Sequence, residues 1–273
     1  MTDTTEYGNV EFLEGEILRS VVGSGLHGIA IEGTDDHDEM GVYVEPPHVT
    51  LGVQNYRDDY IWRTQPEGAR SGPGDVDLVV YSLRKYLRLA MKGNPTALLP
   101  LFAPEESVLI ATDFGDELRS NRDWFLSNQA IERFLGYMHS QHERMLGQGK
   151  RNRVPNRPEL IEKYGWDVKY GSHALRLAHQ GLEIAVDGTL TLPLKDEVRD
   201  RVLSVKRGEV PQAEVSQEIT EIEKQIRSLL DSDKTAVSNE PQLAAIEAWS
   251  VYTHLRCWGL ISHPEDYVRK PSR

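Results

Sequence analysis

The sequence predicts an α+β protein: a small mixed β-sheet with a few helices, then a mostly helical part packed on it. Two observations carry this. Between Ile17 and Tyr81, short apolar and β-branched runs are separated by glycine, proline and acidic turns, as strands are. From Asp113 onward, apolar residues recur at helical spacing almost without a break. A soft boundary near 110–125 divides the two patterns, and we place the domains at 1–115 and 116–273.

Residues 1–10 are polar and expected to fray. Ile17, Leu18, Val21 and Val22 form a strand that ends at Gly23-Ser24. A short helix, a loop and a second strand leading into Val42-Tyr43-Val44 follow. Residues 48–64 read as one or two strands with a turn at Arg57-Asp58-Asp59, and 65–74 as a Gly/Pro-rich loop. Asp75 to Tyr81 is a short strand with acids at its head. Ser82 is placed to cap a helix carrying Leu83, Tyr86, Leu87 and Ala90. Lys92 to Thr96 stops that helix, and a second one runs from Ala97 to Phe102. Further helices are expected over 113–120, 127–147, 168–186, 195–206, 213–231 and 240–256. A basic link (Lys150, Arg151, Arg153, Pro155, Arg157, Pro158) interrupts them, and 189–193 is a loop or a short extended piece.

At 273 residues there is room for one large domain or two small ones, and 39% hydrophobic with 27% charged residues suits a water-soluble globular chain. One cysteine, Cys257, excludes an intramolecular disulfide, suits a reducing cytosol and is expected to be a buried small hydrophobe. No charged-then-apolar leader and no long apolar run is present, so neither secretion nor membrane spanning is expected and the expected compartment is cytoplasmic. The net charge of −12 is unevenly placed: residues 1–77 hold 16 acids against four Lys/Arg, and the remainder holds 27 of each. An acidic first part fits a metal-binding half and argues against a broad nucleic-acid platform there. A solvated acidic surface is the plain alternative.

The organising stretch runs from Val21 to Val44. Period 2 puts Asp36 and Asp38 on one face of the second strand. Adjacent carboxylates repel unless a cation lies between them, which suggests Mg²⁺ with its preference for oxygen ligands. Asp35 leaves the choice open by one step, because Asp35 and His37 share the opposite face. Gly23 lets the backbone come close to a phosphate, and Ser24 offers its N–H and hydroxyl to phosphate oxygens.

Gly23-Ser24, a spacer with Gly28, then Asp36-His37-Asp38 followed by Gly41-Val42 resemble the signature of the DNA polymerase beta-type nucleotidyltransferase superfamily. The fuller run is similar to a bacterial and phage branch of predicted nucleotidyltransferases. Asp35 stands where that pattern has Ser, and His37 where an apolar residue is common. The position of Gly41-Val42 favours Asp36 and Asp38 as the pair. The resemblance implies a third carboxylate on a later strand: Asp77, with Asp75 as the alternative. It further implies two Mg²⁺ ions roughly 4 Å apart on the three acids, and an NTP such as ATP as substrate. Val79 to Leu87 with Lys92-Gly93-Asn94-Pro95-Thr96 resembles the family's helix and its turn, where Asn94 either caps a helix or touches nucleotide. Asp167 to Leu177 resembles the family's Asp-x-Lys-x-x-x-His-x-x-Arg-Leu helix. Lys169, His173 and Arg176 share one face there, suited to triphosphate oxygens, with Leu175, Leu177 and Leu182 beneath. Lys206-Arg207-Gly208-Glu209 is similar to a further family helix end.

The implied activity is transfer of a nucleoside monophosphate from the NTP to an acceptor hydroxyl with release of pyrophosphate, the helical domain completing the cleft. The basic link hints at an RNA or DNA 3′ end, such as tRNA, as acceptor. Two alternatives differ in class: a nucleotide-binding regulator or toxin–antitoxin partner without turnover, and a metal-dependent NTP pyrophosphohydrolase. Weaker patterns are a Gly-x-Gly-x-x-Gly string at 23–28, His139 and His142 with Glu143, and aromatic residues Trp249, Tyr252, Trp258 and Tyr267. We read these as an incidental match, a surface helix, and core or interface, respectively.

Overall fold

The computed structural model describes residues 13–31, 33, 36–66, 69, 71–148 and 157–262. Strands β1 (Glu16–Val21), β2 (His37–Tyr43), β3 (Asp59–Arg63), β4 (Val76–Ser82) and β5 (Val108–Ala111) form one sheet in the order β3-β4-β2-β1-β5. It is mixed: β2 and β4 are parallel, and the other neighbours are antiparallel. The parallel register sets Asp38 beside Asp77 and Glu39 beside Leu78. A mixed sheet followed by helices is the architecture the sequence predicts, and it is not the doubly wound parallel sheet that a dinucleotide reading of the glycine string would need.

A one-turn helix α1 (Gly23–Leu26) follows β1, and α2 (Pro47–Leu51), α3 (Leu83–Met91), α4 (Pro95–Phe102) and α5 (Asp113–Ser120) decorate the sheet. The predicted caps form: Ser82 Oγ accepts from Lys85 N at 3.3 Å, and Asn94 Oδ1 accepts from Thr96 N at 3.0 Å and Ala97 N at 3.1 Å. Three elements differ from expectation. Val49 and Leu51 lie on α2, not on a strand, because Pro47 stands at its first turn with φ already set for a helix. The four-residue β5 went unread, since so short an apolar run carries no clear period. Helix α7 (Pro158–Tyr164) occupies the end of the basic link, again with proline at its start.

The helical part holds α6 (Asn128–Met145), α7, α8 (Val168–Asp187), α9 (Asp196–Lys206), α10 (Gln212–Asp231) and α11 (Leu243–Cys257). Helix α8 lies at its centre, against α6, α9 and α10. Ala174, Leu175, Ala178, Ile184 and Ala185 of α8 are fully buried in an apolar cluster that also contains Leu18 and Val42 of the sheet. Among the described residues His139 and His142 form no cluster of three or more possible metal ligands. Their Nε2 atoms meet Glu223 and Ser216 of α10, each at 2.8 Å. No helix among the described residues is long and apolar enough to cross a membrane. Residues 1–10, where fraying was expected, and Asp35, Lys150, Arg151, Arg153, Pro155 and Tyr267 lie outside the described residues.

The last helix folds back on the sheet. His254 Nε2 meets Glu45 Oε2 at 3.1 Å, His254 Nδ1 faces the Ser250 carbonyl at 2.7 Å, and Trp258 Nε1 donates to the Glu45 carbonyl at 2.8 Å. Trp249 is buried beside this contact region. Cys257, expected to be buried, is exposed, because it ends α11 on the side away from the core. Burial pushes the Glu45 carboxyl up, but its hydrogen bond and charge pairing with His254 outweigh this and hold it below its ordinary value of 4.5. A depressed carboxylate stabilises the fold above its unfolded value and loses that contribution as pH falls. Glu45→Ala should therefore cost about 3 kcal/mol at pH 7, as buried pairs broken on one side do. In urea titrations the gap to wild type should narrow below pH 4.5.

Candidate active site

Three aspartates meet at the carboxyl-side edge of β1 and the head of β2 and β4. Asp36, Asp38 and Asp77 each offer an oxygen, and these oxygens lie within 4.8 Å of one another. The sheet produces this by register: Asp38 and Asp77 are paired on neighbouring parallel strands, and Asp36 stands just before β2. Asp75, the alternative third acid, is used elsewhere. Its carboxylate accepts from Thr64 Oγ1 at 2.8 Å and Gly72 N at 2.9 Å, and so staples the loop before β4. His37 turns away to Glu39, with Nε2 to Oε1 at 3.0 Å.

Gly23 is demanded twice. Its φ is +68°, which non-glycine residues avoid, and a Cβ there would run into the Asp38 carboxylate. The main chain is tied at the same point, since Val22 N donates to the Asp38 carbonyl at 2.8 Å. A second glycine, Gly41, leaves the room that the Glu16 carboxylate fills. Glu16 in turn pairs with the buried Arg19 at 2.7 Å, and Arg19 reaches Glu39 at 3.5 Å.

Burial pushes the Asp38 carboxyl up to about 6, with Asp36 and Asp77 adding to the rise and Lys169 and His37 opposing it. Asp77 is held by the loop: Gln65 Nε2 donates to Oδ1 at 2.9 Å, Ser71 Oγ donates to Oδ2 at 2.5 Å, and Arg63 Nε lies 3.2 Å from Oδ1. An all-oxygen donor set of three acids, one of them strained toward its protonated form, fits a hard divalent cation such as Mg²⁺.

The acids line a cleft of about 560 Å³ whose other wall comes from α8. Asp167 caps α8 by accepting from Lys169 N at 3.1 Å and Tyr170 N at 3.2 Å, and it also pairs with Arg157 at 3.2 Å. This sets the helix phase, so that Lys169, His173 and Arg176 line the cleft while Leu175 is buried. Burial pulls His173 down to about 3, assisted by Arg176, Lys169, Arg157 and Lys206, so its ring is neutral at pH 7. Burial also draws the Arg176 guanidinium down to about 10, which leaves it charged. Gly23, Ser24, Asp36, Asp38, Asp77, Lys169, His173 and Arg176 thus all line one cavity.

Sequence reasoning missed His27, Arg63 and Gln141, and gave Lys206 no definite place; all four line the cleft. His27 lay in plain view inside the glycine-rich stretch, between Leu26 and Gly28, and its position there is the signal that went unused. Asn94 caps α4 and also lines the cleft, donating from Nδ2 to the Tyr137 hydroxyl at 3.2 Å.

A family model described as the RNA repair pathway DNA polymerase beta family matches residues 14–251. The chain is 27% identical over 139 residues to an uncharacterized 38.9 kDa protein of Enterobacteria phage T4, from the nrdC-mobD intergenic region. That match covers 50% of this chain and 40% of the phage protein, so the chain spans under half of that relative's length. A nucleotidyltransferase-like protein from Exiguobacterium sibiricum aligns over 93% of this chain and 76% of its own at 13% identity. Its TM-score of 0.27 is too low for that likeness to carry an argument.

Two outcomes follow from this geometry. Gly23→Ala should displace Asp38 and cost the fold about 1–2 kcal/mol, read by urea titration. Asp38→Asn should raise the melting temperature of the metal-free protein at pH 8. The sign follows from the folded carboxyl titrating at about 6 against an ordinary 3.8, which disfavours the ionised form in the fold. The advantage should vanish below pH 3.8, where both states are protonated.

Proposed function

The chain belongs to the RNA repair pathway DNA polymerase beta family, and from that premise we propose that it is an Mg²⁺-dependent nucleotidyltransferase. It moves a nucleoside monophosphate from a nucleoside triphosphate to an acceptor hydroxyl and releases pyrophosphate. The observation that carries this reading is the convergence, in one cleft, of three carboxylates facing Lys169, His173 and Arg176.

Asp36, Asp38 and Asp77 would hold Mg²⁺, two ions on this reading. When bound, the metal neutralises phosphate oxygens and lowers the pKa of an attacking hydroxyl. The chain's own groups do the rest. Gly23 leaves the room in which the Asp38 carboxylate sits. The Ser24 hydroxyl, Lys169, His173 and Arg176 hold the phosphate oxygens by hydrogen bonds and charge. Asp77, oriented by Gln65 and Ser71, stands to ligate the metal or to take the proton of the acceptor hydroxyl. The acceptor oxygen bonds to the α-phosphorus as the bond from that phosphorus to the bridging oxygen breaks, and the electron pair leaves with pyrophosphate. Val79, Tyr81, Leu89 and Tyr137 supply an apolar and aromatic wall for the base.

On this reading residues 1–115 are the catalytic unit and 116–273 contribute the basic wall. The RNA repair description of the family makes a nucleic-acid 3′ end the first acceptor to try. The test is incubation with each labelled NTP, Mg²⁺ and a panel of RNA, DNA and small-molecule acceptors. Expected are pyrophosphate and a labelled acceptor, with Asp36→Ala and Asp38→Asn at background. Free NMP as the end product would make the protein a pyrophosphohydrolase instead. Absence of pyrophosphate from every NTP would remove the catalytic reading.

A further inference from the structure

We propose that β3 is a dimerisation edge: two copies of this chain join their sheets by pairing β3 with β3, antiparallel, about a two-fold axis at Ile61. The join needs neither nucleotide nor metal and stands apart from the transferase reading.

β3 ends the sheet, with β4 as its one strand neighbour among the described residues. Its main chain is half used. Thr64 N donates to the Val76 carbonyl at 3.2 Å, and Ser82 N to the Asp58 carbonyl at 2.9 Å. Sides alternate with each residue of an antiparallel ladder, so Tyr60 and Trp62 also turn their N–H and C=O to β4. Asp59, Ile61 and Arg63 turn theirs outward, where they meet no partner among the described residues. Edge strands are commonly blunted by proline, lysine or a bulge. β3 has none of these: it reads Asp59-Tyr60-Ile61-Trp62-Arg63, its charges stand only at its two ends, and its register with β4 is unbroken. Ile61 is 52% exposed and Tyr60 42%.

The pattern of β3 selects a second copy as its partner. Centred on Ile61, two antiparallel copies set Asp59 opposite Arg63 twice, Tyr60 opposite Trp62 twice, and Ile61 opposite itself. Outward-facing residues then meet outward-facing residues, so both main chains find hydrogen bonds. Opposite charges and aromatic pairs across strands are each favourable. The neighbouring registers lose this. A shift one way faces Arg63 with Arg57, and the opposite shift faces Arg63 with Ile61 and Asp59 with Gln65. A two-fold interface requires a surface complementary to itself, and β3 is one.

Both faces of the sheet suit the join. On one, Tyr60 stands edge-on to Tyr43 with ring centroids 5.4 Å apart, and Trp62 packs on a small apolar cluster of Tyr43, Leu78 and Val80. That cluster stops at the edge, and a second copy continues it. On the other face, Asp59 gives Oδ2 to Lys85 at 2.8 Å and leaves Oδ1 3.9 Å from Arg57 Nε. Arg63 is more than half exposed and touches Asp77 at 3.2 Å. Asp59 of the second copy gives this guanidinium another carboxylate at the margin of the cleft. Five residues per copy make a small interface, so the dimer is weak, with a dissociation constant on the order of 10 µM.

Sedimentation velocity of the full chain from about 1 to about 200 µM tests this, and wild type should pass from monomer to dimer across that range. Asp59→Arg sets like charges opposite each other at both ends of the paired strands, and so does Arg63→Asp. Each variant alone should weaken the dimer at least about tenfold. Mixed in equal amounts, the two variants complement each other and should dimerise as wild type does. Ile61→Lys, at an exposed position, should weaken association as well, and it covers the case in which a charge variant fails to fold. Hydrogen exchange in wild type reads the edge itself: the amides of Ile61 and Arg63 should exchange more slowly at the high concentration than at the low one. A monomer throughout the range, a dimer indifferent to Ile61→Lys, or folded charge variants that stay monomeric when mixed overturns the β3 dimer. So does a dimer whose Ile61 and Arg63 amides exchange as fast as the monomer's.

Discussion

The pairing of β2 with β4 in parallel register is the constraint on which the rest depends. It sets Asp38 against Asp77 and, with Asp36 just ahead of β2, gathers three negative groups that would separate if free. The sheet can impose this because both strands carry buried residues beyond the acids, Met40 and Val42 on β2 and Leu78 and Val80 on β4. A one-residue slip would send those side chains to the wrong face, so apolar burial holds the register that electrostatics opposes. The cost appears at Asp38, whose carboxyl is driven toward protonation.

The opposite wall has the complementary problem. Helix α8 buries one face among α6, α9 and α10 and presents Lys169, His173 and Arg176 on another. Burial and mutual repulsion neutralise His173, and Arg176 stays charged with no acid paired to it among the described residues. Each wall is therefore strained alone, acids crowded on one side and cations on the other. The two are joined by the apolar cluster that runs from the sheet into α8.

Much of this was legible in the sequence because it is written in local patterns. The strands carrying Asp38 and Asp77 alternate, with Asp36 just ahead of the first of them, and the α8 residues follow helical spacing from the Asp167 cap. Other features depend on partners far along the chain. The choice of Asp77 over Asp75 is made by strand register and by the loop contacts of Thr64 and Gly72, none of which spacing encodes. The role of Gly23 as room for Asp38 is visible only once the two are side by side. His27 lines the cleft with Arg176 and Lys206, well over a hundred residues away, so no window of sequence connects them. Helix α2 was masked by β-branched and apolar residues after a proline pair, and Cys257 was judged by residue type, where its place on α11 decided.

The spacing of acids and bases along the chain bears on how the protein is made. The aspartates lie within the first 77 residues and their basic counterparts begin at Lys169. A ribosome that releases the chain from its N-terminus delivers the acidic strands long before α8. During that interval β2 and β4 must pair against their own repulsion, with Arg63 the nearest cation on a neighbouring strand. The early sheet therefore carries its three acids before the cations that face them across the cleft have been made.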